Sequence, residues 1–142
     1  MKMKKITLLM IAMMIFTALM IGACSGNASN SPVGDWKLVS YGSAASLTPA
    51  AAGVDTTITF ASNGQVTGNV GCNSFGGDYS VSGSQITFKP ITSTLMACGD
   101  AIDAQEAEVL RVFAGTATFQ VAGDTLTITT ADGASVVVLE RK

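Results

Sequence analysis

GCNSFGGDYSVSG, residues 71–83, sets a cysteine beside a glycine, follows it with Asn73-Ser74, and then alternates small and large residues toward Gly83. Glycine, asparagine and aspartate adopt backbone geometries that other residues avoid, so Gly76-Gly77-Asp78 and Ser82-Gly83-Ser84 read as turns. Working outward, the same punctuation recurs at Ser62-Asn63-Gly64, Ala122-Gly123-Asp124 and Ala131-Asp132-Gly133. Between the turns the pattern has period two. Trp36, Leu38 and Ser40 alternate with Lys37, Val39 and Tyr41, and Thr56, Ile58 and Phe60 alternate around Thr57 and Thr59, as half-buried strands do. The stretches Val81–Thr87 and Val121–Thr127 echo one another, and shared hairpin chemistry explains the echo more simply than duplication.

One segment breaks the rhythm. In Gly99–Ala114, Ile102, Val109, Leu110 and Phe113 fall on one helical face, and Asp100, Asp103, Glu106 and Glu108 crowd the N-terminal half. Asp100 is the expected N-cap and Gly115 the expected stop. The expected fold is mainly β: a small eight-stranded, barrel-like domain with one α-helix between strands 5 and 6, because closure removes exposed edges. Trp36, Tyr41, Phe60, Phe75, Tyr79, Phe88, Phe113 and Phe119 are expected to form its core, the alternative being the lining of a ligand cavity. Met96 is expected to pack inside with them, while the Ser43–Val54 stretch reads as a loose loop.

The N-terminus reads as an export signal. Lys2, Lys4 and Lys5 precede an apolar run that ends in Ile21-Gly22-Ala23-Cys24. That ending resembles a bacterial lipobox, with Cys24 the residue that receives lipid; a plain secretory signal or an uncleaved anchor is the alternative. The expected organisation is a lipoprotein signal peptide at 1–23, a lipid-anchored flexible tether at 24–32 and one domain at 33–142. Membrane association is expected through the lipid. By resemblance to lipoproteins of two-membrane cells, Ser25 after Cys24 permits transfer to the outer membrane, facing the periplasm.

Removing Cys24 to the lipid leaves Cys72 and Cys98 as a pair, and export places them where paired cysteines oxidise. A disulfide is expected, two buried free thiols being the alternative, since sequence does not fix the Cα separation. Two thiolates in a chain without histidine do not make the usual zinc ligand set, so no metal and no cofactor are expected. The absence of histidine also excludes Ser-His-Asp and Cys-His nucleophilic arrangements within the chain. The acidic residues are expected at turns and on the exposed helix face rather than as a catalytic pair, so no catalytic residue is expected. Past the signal, five basic side chains stand against all ten acidic ones, which argues against a nucleic-acid partner.

Trp36-Lys-Leu-Val-Ser40, Ile58 through Gly68, Gly71-Cys-Asn-Ser-Phe-Gly-Gly-Asp-Tyr79 and Thr94-Leu-Met-Ala-Cys98 resemble the successive blocks of the META domain, the HslJ-like heat-shock family. The resemblance spans about Val33 to Arg141. It implies a small β-barrel-like fold with one helix, often carried by exported lipoproteins. It also implies links to envelope stress and antibiotic tolerance in some bacteria and to secretion and virulence in some parasites, with no established catalysis. Two functions follow as expectations. One is a non-enzymatic envelope lipoprotein that contacts another envelope protein; the other is a barrel that binds a small apolar ligand or lipid. Asn73 and Ser74 are the candidate recognition turn; the competing reading is that Asn73 satisfies backbone groups within the bend.

Overall fold

The computed structural model describes residues 30–142, so the expected signal peptide, the expected lipidation site Cys24 and most of the expected tether lie outside the described residues. Seven strands come first: β1 (Gly34–Ser43), β2 (Ser46–Pro49), β3 (Thr57–Phe60), β4 (Gln65–Asn69), β5 (Ser74–Ser82), β6 (Gln85–Phe88) and β7 (Thr92–Ser93). Helix α1 (Asp100–Val112) follows, then β8 (Gly115–Ala122), β9 (Thr125–Thr130) and β10 (Val136–Arg141). Every pairing is antiparallel. The path runs β10-β9-β8-β6-β5-β4-β3-β1, and β10 pairs back onto β1, which closes a barrel of eight strands. The short β2 and β7 hang on β1 and β5.

Closure depends on β1, which pairs β10 along one side and shares its other side between β3 and β2. Its register shifts between Leu38 and Ser40, a bulge that bends a strand so that it can serve successive partners. The β3 ladder reaches only Trp36, and the Leu38 N–H beyond it donates instead to the Thr56 hydroxyl at 2.8 Å. Thr56 is buried for that reason, despite its polarity. Inside, Trp36, Ile58, Phe60, Ile86, Leu126, Ile128 and Leu139 are all shielded from solvent. The Trp36 indole N–H donates to the Pro32 carbonyl at 2.8 Å, and the Arg141 guanidinium lies 4.3 Å from its ring centre.

α1 packs Val109 and Val112 into this core and is followed there by Phe113. Phe113 stacks on Phe88 at 4.7 Å and meets Phe60 and Phe75 near 6 Å, at 6.0 and 5.9 Å, edge to face. Phe60 meets Tyr79 edge to face at 5.2 Å. The expected aromatic core is therefore present, with Tyr41 only half-buried against it.

Several local expectations are corrected. Counting every strand, α1 lies between β7 and β8 rather than between strands 5 and 6, because the Ser43–Val54 stretch carries β2 and a two-residue β7 precedes the helix; among the eight barrel strands it falls between the fifth, β6, and the sixth, β8. Gly76-Gly77-Asp78 is not a turn: β5 runs straight through it. A side chain at Gly77 would place its Cβ 2.7 Å from the Ile91 side chain, so this glycine serves close approach rather than chain reversal. Gly99, not Asp100, is the N-cap and offers no side-chain bond; Phe113 caps the other end, and Gly115 already begins β8 at φ +77°.

Tyr79 joins the core to a testable pH response. Its hydroxyl donates to the Ala61 carbonyl at 2.8 Å, and burial raises its pKa above the ordinary 10.0. The folded state thus holds this proton more tightly than the unfolded state. The associated stability is complete below pH 10.0 and falls as pH rises through the interval up to the folded pKa. Urea midpoints measured from neutral to strongly alkaline pH should fall less steeply for Tyr79→Phe than for the wild type. Parallel curves would contradict this.

Candidate functional site

The bend between β4 and β5 is built by the residues of the Gly71-Cys72-Asn73 motif and their neighbours. Asn69 opens it as an Asx turn: its Oδ1 accepts the Gly71 N–H at 2.9 Å, and its Nδ2 donates to the Cys72 carbonyl at 3.1 Å. Gly71 is required by proximity. A Cβ there would stand 2.6 Å from Ile102 Cγ2 and 3.0 Å from Glu106 Oε1, so a larger residue would have to displace the Ile102 and Glu106 side chains that meet the bend.

α1 reaches the bend with two buried polar side chains. Glu106 Oε1 accepts the backbone N–H groups of Cys72 at 2.6 Å and Asn73 at 2.5 Å, and its Oε2 accepts the Asn73 side-chain amide at 2.6 Å. Next to it, Gln105 is fully buried, accepts the Ala51 N–H at 2.7 Å and donates to the Val70 carbonyl. One helix turn thus supplies partners to three backbone groups of the bend and one of the Ala51 loop, groups that strand pairing leaves without partners.

Asn73 carries the connection onward. Its Oδ1 accepts the Met96 N–H at 2.7 Å and the Thr94 hydroxyl at 2.9 Å, while its Nδ2 also donates to the Met96 carbonyl at 2.9 Å. All of its hydrogen-bonding capacity is directed inward and it is buried, so the candidate recognition turn does not present Asn73 to a ligand. Ser74 is exposed, but its backbone is held as well, receiving Thr94 N–H at 3.0 Å on its carbonyl and donating at 3.2 Å to the Thr94 hydroxyl.

Cys72 and Cys98 form a disulfide, with their Cα atoms 6.2 Å apart. In the chain-entropy view, a loop of this size contributes about 3 to 4 kcal/mol. Asp103 accepts the Cys98 N–H at 3.0 Å, which anchors the far end of the same segment to α1. The Thr94–Cys98 segment is therefore tied down at both ends and at its middle.

Yet this segment presents two large apolar side chains to solvent: Leu95 is 95% exposed and Met96 is 56% exposed. Met96 does not pack inside as expected, because its backbone, not its side chain, is what Asn73 holds. Glu106 is likewise not on the exposed helix face; it is 6% exposed. Its burial is visible in the sequence pattern afterwards: Ile102, Glu106, Val109 and Phe113 share one helical face, and a carboxyl within an apolar stripe marks a buried partner. Among the described residues every buried side-chain polar atom has a partner, and no three of Cys, Asp and Glu gather closely enough to hold a metal.

A closed antiparallel barrel, clamped to one helix through a Gly-Cys-Asn bend and a disulfide, defines a small β-barrel domain of a recognisable kind. The family model of the META domain matches residues 30–142, and the chain belongs to that family. It is similar in fold to a protein from Burkholderia xenovorans solved by NMR, at 20% identity and a TM-score of 0.63, over 77% of this chain and 81% of that one. A second NMR structure aligns at 18% identity and a TM-score of 0.57, over 74% of this chain and 86% of the other. No curated protein matches the chain.

Replacing Glu106 tests the clamp. Glu106→Ala leaves the Cys72 and Asn73 N–H groups and the Asn73 amide without their acceptor, and should lower unfolding free energy by about 2 to 4 kcal/mol. Denaturant titration of the oxidised protein checks this. A loss no larger than that of an exposed substitution such as Glu140→Ala would contradict the role given to Glu106.

Proposed function

We propose that the chain is a non-enzymatic envelope lipoprotein whose META barrel is an interaction module, anchored through a lipid on Cys24. Its contact surface is the rigid Thr94–Cys98 loop. The single observation that supports this most is the pairing of solvent-exposed Leu95 and Met96 with a backbone held by Asn73, Thr94 and the Cys72–Cys98 bond. Exposed apolar side chains on a mobile loop lose conformational freedom on binding, whereas side chains on a held loop lose less, which is how contact residues become effective anchors. Family membership supports a place in the response of the cell envelope to stress, including antibiotic tolerance. An outer-membrane position facing the periplasm, where the cell has two membranes, follows from the lipobox and Ser25.

A second reading, binding of a small apolar ligand, is supported by a different place from the one sequence suggested. The barrel interior is occupied by the packed core. A groove of about 470 Å³ instead opens beside α1, lined by Phe88, Pro90, Ile91, Leu110 and Phe113 with Lys89 at its edge. A groove open to solvent at this size suits a ligand tail better than an enclosed carrier cavity.

The experiment is crosslinking in intact cells under envelope stress, followed by capture of the lipidated protein. The interaction reading predicts one reproducible protein product, lost in Leu95→Ser with an unchanged melting temperature, and lost from the membrane fraction in Cys24→Ala. Undiminished capture by Leu95→Ser would contradict the assigned surface. No protein product, together with an apolar molecule extracted from the purified chain, would favour the groove.

A further inference from the structure

We infer that Met96 is a reversible oxidation site, at which a peroxide-class oxidant turns the exposed tip of the loop from apolar to polar without disturbing the fold. The inference rests on the geometry of the loop and does not require the export reading.

The oxidant-sensitive side chains of the described residues are few, and their placement ranks them. The two cysteines are already joined to each other. The chain has no histidine. Trp36 is fully shielded, with Arg141 over its ring. Met96 is the one methionine between residues 30 and 142, and it is 56% exposed. A thioether in water reacts with peroxide directly, so the ordering follows from access.

What makes the position more than an exposed methionine is how it is held. Both backbone groups of Met96 bond to the Asn73 amide, the N–H at 2.7 Å and the carbonyl at 2.9 Å, and neither bond uses the sulfur. Oxidation can therefore change the side chain while the clamp to Glu106 and the barrel stays intact. The chemistry balances in both directions. A sulfur lone pair attacks one peroxide oxygen, the O–O bond breaks, the sulfur loses two electrons and gains that oxygen, and the other oxygen leaves as water after proton transfer. In the reverse step a methionine sulfoxide reductase removes the oxygen as water while two of its thiols become a disulfide. Sulfoxide formation next to Leu95 replaces a flexible apolar group with a polar, chiral one, a change that weakens an apolar contact surface.

The test uses the full chain, purified in detergent with its disulfide intact and titrated with hydrogen peroxide. Tryptic mapping after reduction follows the Leu38–Arg111 fragment, since trypsin does not cut between Lys89 and Pro90; it carries Met96 with Cys72 and Cys98, and fragmentation spectra assign any added oxygen to a residue. The expected result is a gain of one oxygen at Met96 before any at Trp36, an unchanged melting temperature, and full loss of that oxygen on treatment with the two methionine sulfoxide reductases that act on the two sulfoxide epimers. Met96→Leu should abolish the gain, which separates the thioether from Cys72 and Cys98. Three results would each overturn the inference: oxidation at Trp36 before Met96, a gain that persists in Met96→Leu, or a lowered melting temperature accompanying sulfoxide formation.

Discussion

The Glu106 carboxyl, held against the backbone of Cys72 and Asn73, is the interaction on which the rest of the arrangement depends. The backbone groups of a helix bond within the helix itself, so α1 can be held to the barrel only by side-chain packing or by polar groups at the loops. Here both are used. Phe113 and Val109 provide the packing, and Glu106 with Gln105 satisfies the bend that the β4–β5 connection leaves exposed. Burying a carboxyl is costly unless it is fully bonded, and three N–H groups converge on this one. The arrangement favours Gly71, because a Cβ there would collide with the Ile102 side chain and crowd the Glu106 carboxyl.

From Glu106 the restraint passes outward through a single side chain. Asn73 bonds to Glu106 on one side and to Thr94 and Met96 on the other, so the position of α1 and the position of the apolar loop are set together. The disulfide runs parallel to this polar connection and joins the same two segments covalently. A covalent bond and a buried hydrogen-bond network in parallel restrict the loop more than either alone, since opening it requires both to give way. The structural role of the Gly-Cys-Asn block is then to present Leu95 and Met96 from a fixed backbone, and the proposed contact surface is a consequence of it.

Much of the architecture was legible in the sequence. Alternation at Trp36–Leu38 and Ile58–Phe60, together with turn glycines at 64, 83, 123 and 133, suffices for an eight-stranded barrel because period-two burial and positive φ are local properties. Gly76-Gly77 misled because glycine has two uses, turning the chain and admitting a neighbour, and only the position of Ile91 distinguishes them. β2 was missed since all of its residues are exposed and no burial pattern marks it. The site was less legible. Asn73 and the cysteine pair stand out in sequence, but Glu106 is thirty-three positions from Asn73 and looks like one more acidic residue of a helix that also carries Asp100, Asp103 and Glu108. Met96 was assigned inward on its apolar character alone; the backbone bonds that leave its side chain free are long-range and carry no sequence period.

Amide hydrogen exchange tests this account most directly, read at Cys72, Asn73 and Met96 in the oxidised wild-type chain. If the carboxyl of Glu106 and the amide of Asn73 hold the bend and the loop to the barrel, these three amides should exchange as slowly as those of β4 and β5, although they lie outside any strand or helix. Exchange at the rate of the open turns around Gly83 and Gly123 would show that the bend and loop move independently of the barrel, and would contradict the central claim.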